Sequence, residues 1–150
     1  MRRTRKGAKP EGTLAQGILP GLLGYRLRLA QQAVFRDFAS TVEGLSPGRV
    51  GILTLIEANP GVTQSRLART VSLDRSTMVG VLDTLEERGL IERRRGAEDR
   101  RTNRLRLTRK GRAVLAGAKR KIAVHERRVA SRLSAVERAQ LFRLLAKLQG

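Results

Sequence analysis

From Leu19 onward, apolar residues recur at helical spacing. Leu23, Leu27, Ala30, Val34 and Phe38 follow one another at intervals of four and three, and Leu22, Leu29 and Ala33 widen the stripe. The pattern predicts a helix closed by Gly44, with a face broad enough to bury against more than one neighbour. Ser46-Pro47 restarts the periodicity: serine suits an N-cap, and proline suits the first helical position because its missing N–H has no partner there anyway. Val50, Ile52, Leu53 and Ile56 form the buried face of this second helix, and Asn59-Pro60-Gly61 stops it. Thr63 caps a short helix carrying Leu67 and Ala68, and Val71-Ser72-Leu73 makes a turn. Asp74 caps the next helix, which runs to Arg88 and is closed by Gly89. Met78, Val81, Leu82 and Leu85 face inward on it, leaving Arg75, Ser76, Thr77, Val79, Gly80 and Asp83 outside.

The period then changes from 3.6 to 2. Leu90 to Arg94 reads as one strand and Asn103 to Leu107 as a second, in which Arg104 and Arg106 alternate with Leu105 and Leu107. A polar tip, Arg95 to Thr102, joins them. Thr108 caps a long helix to about Leu133, with Leu115, Ala118, Ile122 and Val129 on one face. Ser134-Ala135-Val136-Glu137 is a capping box opening a last helix with Leu141, Leu144, Leu145 and Leu148 inside. The element order is α-α-α-α-β-β-α-α, a mainly α fold with a small β-wing. Two helices joined by a tight turn and followed by a basic hairpin describe a winged helix-turn-helix, which lays one helix in the DNA major groove. The division expected is a basic arm (1–12), an N-terminal dimerisation helix (13–44), the winged module (45–108) and C-terminal dimerisation helices (109–150). The outer helices carry apolar stripes that must be buried, either between two protomers or within one. A two-fold dimer matches the two half-sites of a palindromic operator in double-stranded DNA.

Composition strengthens that picture. The 150 residues carry a formal charge of +19, which draws polyanions. The charge is uneven: Leu90 to Arg112 holds ten Lys/Arg against three acids, on the wing and the start of the next helix. With no cysteine, disulfides, thiolate nucleophiles and Cys-based zinc sites are excluded, and one histidine builds neither a triad nor a metal centre. There is no phosphate-binding glycine motif, so no catalytic residue, cofactor or metal ligand is expected. Apolar runs are too short to cross a bilayer, and the basic N-terminus has no apolar segment directly behind it, so a soluble cytoplasmic protein with no membrane partner is expected.

Two stretches carry a specific likeness. DRSTMVGVLDTLEERGLIERR (Asp74 to Arg94) and EDRRTNRLRLTRKG (Glu98 to Gly111) resemble the MarR family of bacterial transcription regulators, over about Leu19 to Leu148. LSPGRVGILTLIEANPGVTQSRLAR (Leu45 to Arg69) is most similar to members that sense aromatic acids or their coenzyme A thioesters. The resemblance implies a sequence-specific repressor released by such a ligand. The same fold without an effector, as a non-specific or architectural nucleic-acid binder, is the alternative that +19 favours.

On this reading Arg75, Ser76 and Thr77 open the recognition helix, where side chains reach base edges and the helix N-terminus favours phosphate. Arg75 suits bidentate pairing with guanine, and Val79 suits a thymine methyl. Gly80, costly in mid-helix, either admits close approach of the backbone to DNA or is simply tolerated. Gln64, Ser65 and Arg66 position the DNA backbone. Arg94, Arg95, Arg100, Arg101, Asn103 and Arg104 form the wing; by resemblance, Asp99 orients Arg101 and a tip arginine enters the minor groove. The resemblance also implies a small-molecule site, with Tyr25, Arg26, Phe35, Phe38 and His125 as candidate contacts; for His125 a packed or hydrogen-bonded core role is the competing reading.

Overall fold

The structure is a computed structural model and describes residues 14–95 and 103–150. A single 3-10 turn (Leu19–Gly21) precedes α1 (Leu23–Thr41), α2 (Pro47–Ala58), β1 (Val62–Thr63), α3 (Gln64–Thr70), α4 (Arg75–Glu87), β2 (Ile91–Arg95), β3 (Asn103–Leu107), α5 (Arg109–Ala130) and α6 (Ala135–Gln149). The chain divides between Ala33 and Val34 into two compact units.

The caps explain most helix starts. Ser46 accepts from the Arg49 N–H, with Pro47 in the first turn. Thr63 does the same for Arg66, Asp74 for Thr77 and Thr108 for Gly111. Ser134 and Glu137 form the reciprocal capping box. Each cap satisfies an amide that has no partner inside its own helix. Gly89, at φ 69°, closes α4: its N–H reaches the Glu86 carbonyl, and the Leu90 N–H reaches back to Leu85.

In the unit from Val34 onward, the apolar faces of α2, α3 and α4 meet the inward side of the hairpin. Leu53, Ile56, Met78, Leu82, Leu85, Leu105 and Leu115 are completely buried. The sheet order is β1-β3-β2, antiparallel throughout. Gly111 sits where α5 crosses the end of the wing. A Cβ there would stand 1.9 Å from the Leu90 carbonyl oxygen, so only glycine fits.

Several boundaries differ from the sequence reading. The first helix starts at Leu23, not Leu19, because Pro20 and Gly21 close a separate turn and Leu22 is extended. It ends at Thr41, and Gly44 lies in the following link with φ 76°. The two-residue strand β1 was not expected; Val62 and Thr63 pair with Leu105 and Arg104, too short a run to show a period of two. The strand β2 begins at Ile91 rather than Leu90, and α5 ends at Ala130 rather than Leu133. Leu141, Leu144 and Leu148, expected inside, are 41–53% exposed, and α6 buries no residue in this single chain.

Candidate nucleic-acid interface

Burial of Met78, Leu82 and Leu85 fixes the rotation of α4, so Arg75, Ser76, Thr77, Val79 and Gly80 are exposed on it. The first turn of α4 carries no acid, and its N-cap, Asp74, gathers the local donors. The Ser76 hydroxyl donates to Asp74 at 2.6 Å, the Thr77 hydroxyl at 2.5 Å and the Thr77 N–H at 2.9 Å. These bonds, that of Ser76 first, hold the Asp74 carboxyl well below the usual carboxylate range. In the free protein both hydroxyls are thus turned toward the cap, whereas Arg75 has no acidic partner among the described residues. A Cβ on Gly80 would meet nothing within 4 Å, so no packing inside the protein demands glycine there.

On α3, Ser65 and Arg66 are exposed and Gln64 is half-buried at the helix start. On the wing, the register sets Arg94 opposite Arg104 and Arg95 opposite Asn103, all four exposed. Like charges directly opposed across a strand pair cost stability, a cost that a polyanion would reverse. Arg94 reaches Glu92 at 2.8 Å, and Arg104 donates weakly to the Gly61 carbonyl. The tip residues Asp99, Arg100 and Arg101, like the arm 1–12, lie outside the described residues.

One wing arginine escaped the sequence reading. Arg93 shares the inward face of β2 with Ile91 and forks between Asp83 at 2.6 Å and Glu86 at 2.5 Å on α4. Asp83, expected on the outer face of α4, therefore belongs to a bridge tying that helix to the wing. The signal was present: period two puts Arg93 with Ile91, and Asp83 and Glu86 are spaced to meet one side chain.

Among the candidate effector contacts, Phe38 and His125 are 7% and 2% exposed and pack edge to face, with ring centroids 5.3 Å apart. The His125 Nδ1–H donates to the Asp37 carboxylate at 2.6 Å, and Arg128 Nε approaches its other oxygen at 2.7 Å. The His125 bond, more than the added Arg128 contact, draws the Asp37 carboxyl below its usual range against the opposing effect of partial burial. Phe35 remains 46% exposed. Within the N-terminal unit, the Arg26 guanidinium donates to the Pro20 carbonyl and Arg28 sits 5.3 Å over the Tyr25 ring. Asp37 and Arg128 were not singled out from sequence; only contact across 91 positions reveals them. Among the described residues, no group of three or more His, Cys, Asp or Glu side chains is placed to hold a metal ion, and no helix is long and apolar enough to cross a membrane.

Comparison with known proteins bears directly on this geometry. The sequence profile of the MarR family matches residues 45–102. A "putative transcriptional regulatory protein for hcr operon" from Thauera aromatica is 40% identical over 152 residues, spanning 97% of this chain and 92% of the relative. Among solved structures, the transcriptional repressor CouR bound to a 23-mer DNA duplex superposes with a TM-score of 0.87 at 42% identity, over 93% of this chain and 100% of CouR. CouR bound to p-coumaroyl-CoA gives 0.85 at 41% identity, over 91% and 98%. A winged helix-turn-helix with these residues and these relatives has one reading: the chain belongs to the MarR family of transcription regulators.

Proposed function

We propose that this regulator is a dimeric repressor that binds a palindromic operator in the cytoplasm and leaves it when an aromatic acid or its coenzyme A thioester binds. The observation that carries the DNA reading is the exposed α4 face beside a wing with opposed arginines, in a chain 42% identical to a repressor held on a DNA duplex. Arg75 and Val79 read bases, while Ser76 and Thr77 serve phosphate once released from Asp74. Gln64, Ser65, Arg66, Arg94, Arg95, Asn103 and Arg104 position the duplex; Asp99 orients Arg101, and a tip arginine, Arg100 or Arg101, enters the minor groove. Residues 45–108 are the DNA-binding module, 13–44 and 109–150 the dimerisation segments, and 1–12 a basic arm. Support for a second copy is the apolar surface left by one chain: Leu14, Ile18 and Leu23 near the N-terminus, and separately Val136, Phe142 and Leu148 on α6, are each more than half exposed.

The effector class is supported by CouR, a 41%-identical neighbour captured with p-coumaroyl-CoA. Exposed Phe35 is the aromatic available to a ligand on its own unit, three residues before the buried Phe38 that packs on His125; Tyr25 and Arg26 are the candidates on the N-terminal unit. Footprinting on the DNA upstream of the protein's own gene, at about 0.15 M salt with excess random competitor, tests the proposal. A protected two-fold symmetric site, lost on adding p-coumaroyl-CoA or a related thioester, is expected. Uniform coating of all DNA, with specific binding less than about 10³ above non-specific, would support the architectural alternative that +19 favours.

A further inference from the structure

The root of the wing holds a cavity of whose lining the DNA reading uses Arg94 alone. Strand alternation sends Leu105 and Leu107 into the core, so Arg104 and Arg106 stand on the outer face of β3. The register sets Glu92 opposite Arg106 and Arg94 opposite Arg104, which puts all four on that one face. The end of α2 borders the same face, where the Gly61 N–H bonds the Leu105 carbonyl. The first turn of α5 closes it from the other end, because only Thr108 separates β3 from that helix.

The result is a concavity of about 470 Å³ into which Arg94, Arg106, Arg109 and Arg112 all project. Arg94 is paired with Glu92, but the other three guanidinium groups repel one another unless an anion joins them. The two carboxylates in the lining are already engaged, Glu92 by Arg94 and Glu57 by Lys119. Among the described residues, Arg106, Arg109 and Arg112 have no carboxylate within ion-pair distance. Arg112 is instead steadied by donating to the Leu107 carbonyl, which holds its planar fork in place. The volume lies within the roughly 300–1,000 Å³ range of small-molecule sites. Guanidinium forks match phosphate oxygens two at a time.

We propose that this wing-root cavity is a second ligand site, one that takes the diphosphate group of a small phosphorylated ligand such as a nucleoside diphosphate. The assignment rests on the cavity and its charges and not on the effector reading above, although the nucleotide end of a coenzyme A thioester carries the same diphosphate chemistry. Arg106 and Arg109 are the residues that grip the phosphates, with Arg112 and Arg94 flanking.

Titration calorimetry of the full-length chain with ADP, inorganic pyrophosphate and adenosine is the test. ADP and pyrophosphate should each bind at one site per chain, and adenosine should not. Arg106→Glu and Arg109→Glu should each weaken ADP binding by about tenfold or more, through loss of one paired charge and gain of a repulsive one. Arg69→Glu, the same charge change on exposed α3, should leave it unaltered. Should a Glu variant fail to fold by circular dichroism, the Gln variant at that position is read instead, with weakening in the same direction. Absence of heat with either phosphate ligand, or equal weakening by Arg69→Glu, overturns the proposal in favour of diffuse charge attraction. Loss of duplex DNA binding in the Arg106 and Arg109 variants with ADP binding intact also overturns it, making the cavity a DNA-backbone contact.

Discussion

Two exposed arginines, one on α4 and one on α3, test the roles proposed for them. Arg75 is exposed at the helix start, and Arg66 stands exposed on α3. Arg75→Ala should weaken operator binding and relax base preference at one position of each half-site, a discrimination of about 1–3 kcal/mol. Arg66→Ala should weaken operator and random duplex alike. Equal loss on both DNAs for Arg75→Ala would remove it from base readout. Gly80 has open space where a Cβ would go, so alanine should stabilise the free protein by about 1 kcal/mol through helix propensity alone. If the bare backbone at Gly80 abuts DNA, the same Gly80→Ala variant loses operator affinity while its thermal midpoint rises. Unchanged affinity would mean the glycine is only tolerated. Gly111 is the opposite case. Its Cβ would collide with the Leu90 carbonyl, backbone that cannot swing aside, and Gly111→Ala should cost about 3 kcal/mol or more in denaturant unfolding.

At the scale of elements, the recognition helix is held by a cap at one end and a bridge along its length. Asp74 anchors the N-terminus, and Arg93 joins Asp83 and Glu86 to β2, tying the helix to the wing. The cap makes a pH prediction. The Asp74 carboxyl is depressed in the folded state below its ordinary 3.8, so the folded state binds this proton less readily than the unfolded chain does. Its contribution is therefore complete above about pH 5 and shrinks as the pH falls through 3.8 and then through the lower folded value. Asparagine caps almost as well as aspartate but does not titrate. Asp74→Asn should thus change the thermal midpoint little at pH 7 and flatten its decline below pH 4, read by melting across pH. An identical acid limb in the variant would show that other carboxylates carry the whole effect.

For the whole molecule, one chain leaves too much apolar surface uncovered to be its final state. The α6 helix contributes nothing to the core, yet presents Leu141, Phe142, Leu144 and Leu148 to solvent. Leu141→Glu combined with Leu144→Glu should convert a dimer to a monomer in sedimentation and weaken operator binding by at least about a hundredfold, because each half-site is then bound alone. The helical far-ultraviolet signature should survive, since no α6 residue belongs to the buried core cluster. Unchanged sedimentation would place the protomer contact elsewhere.

Most of the scaffold that presents the candidate interface was legible as sequence because its logic is local. Ser46, Thr63, Asp74, Thr108 and Ser134 each cap a helix within three residues of themselves, and the inward faces of α2 and α4 follow from a period set by helix geometry. The alternation of Arg104, Leu105, Arg106 and Leu107 likewise dictated which side of β3 is basic. What the sequence could not state was which distant groups meet. The strand β1 exists only because Val62 and Thr63 find Leu105 and Arg104. Asp37 becomes a partner of His125 and Arg128 only when α1 and α5 are brought together. The α6 leucines, apolar by pattern, remain uncovered, because periodicity specifies a face and not what covers it. The wing-root cavity gathers arginines from β2, β3 and α5. Local propensity and charge order thus determined the elements and their outward chemistry. Packing across long sequence separations alone decided which charges are paired, which are left free, and where the free ones converge.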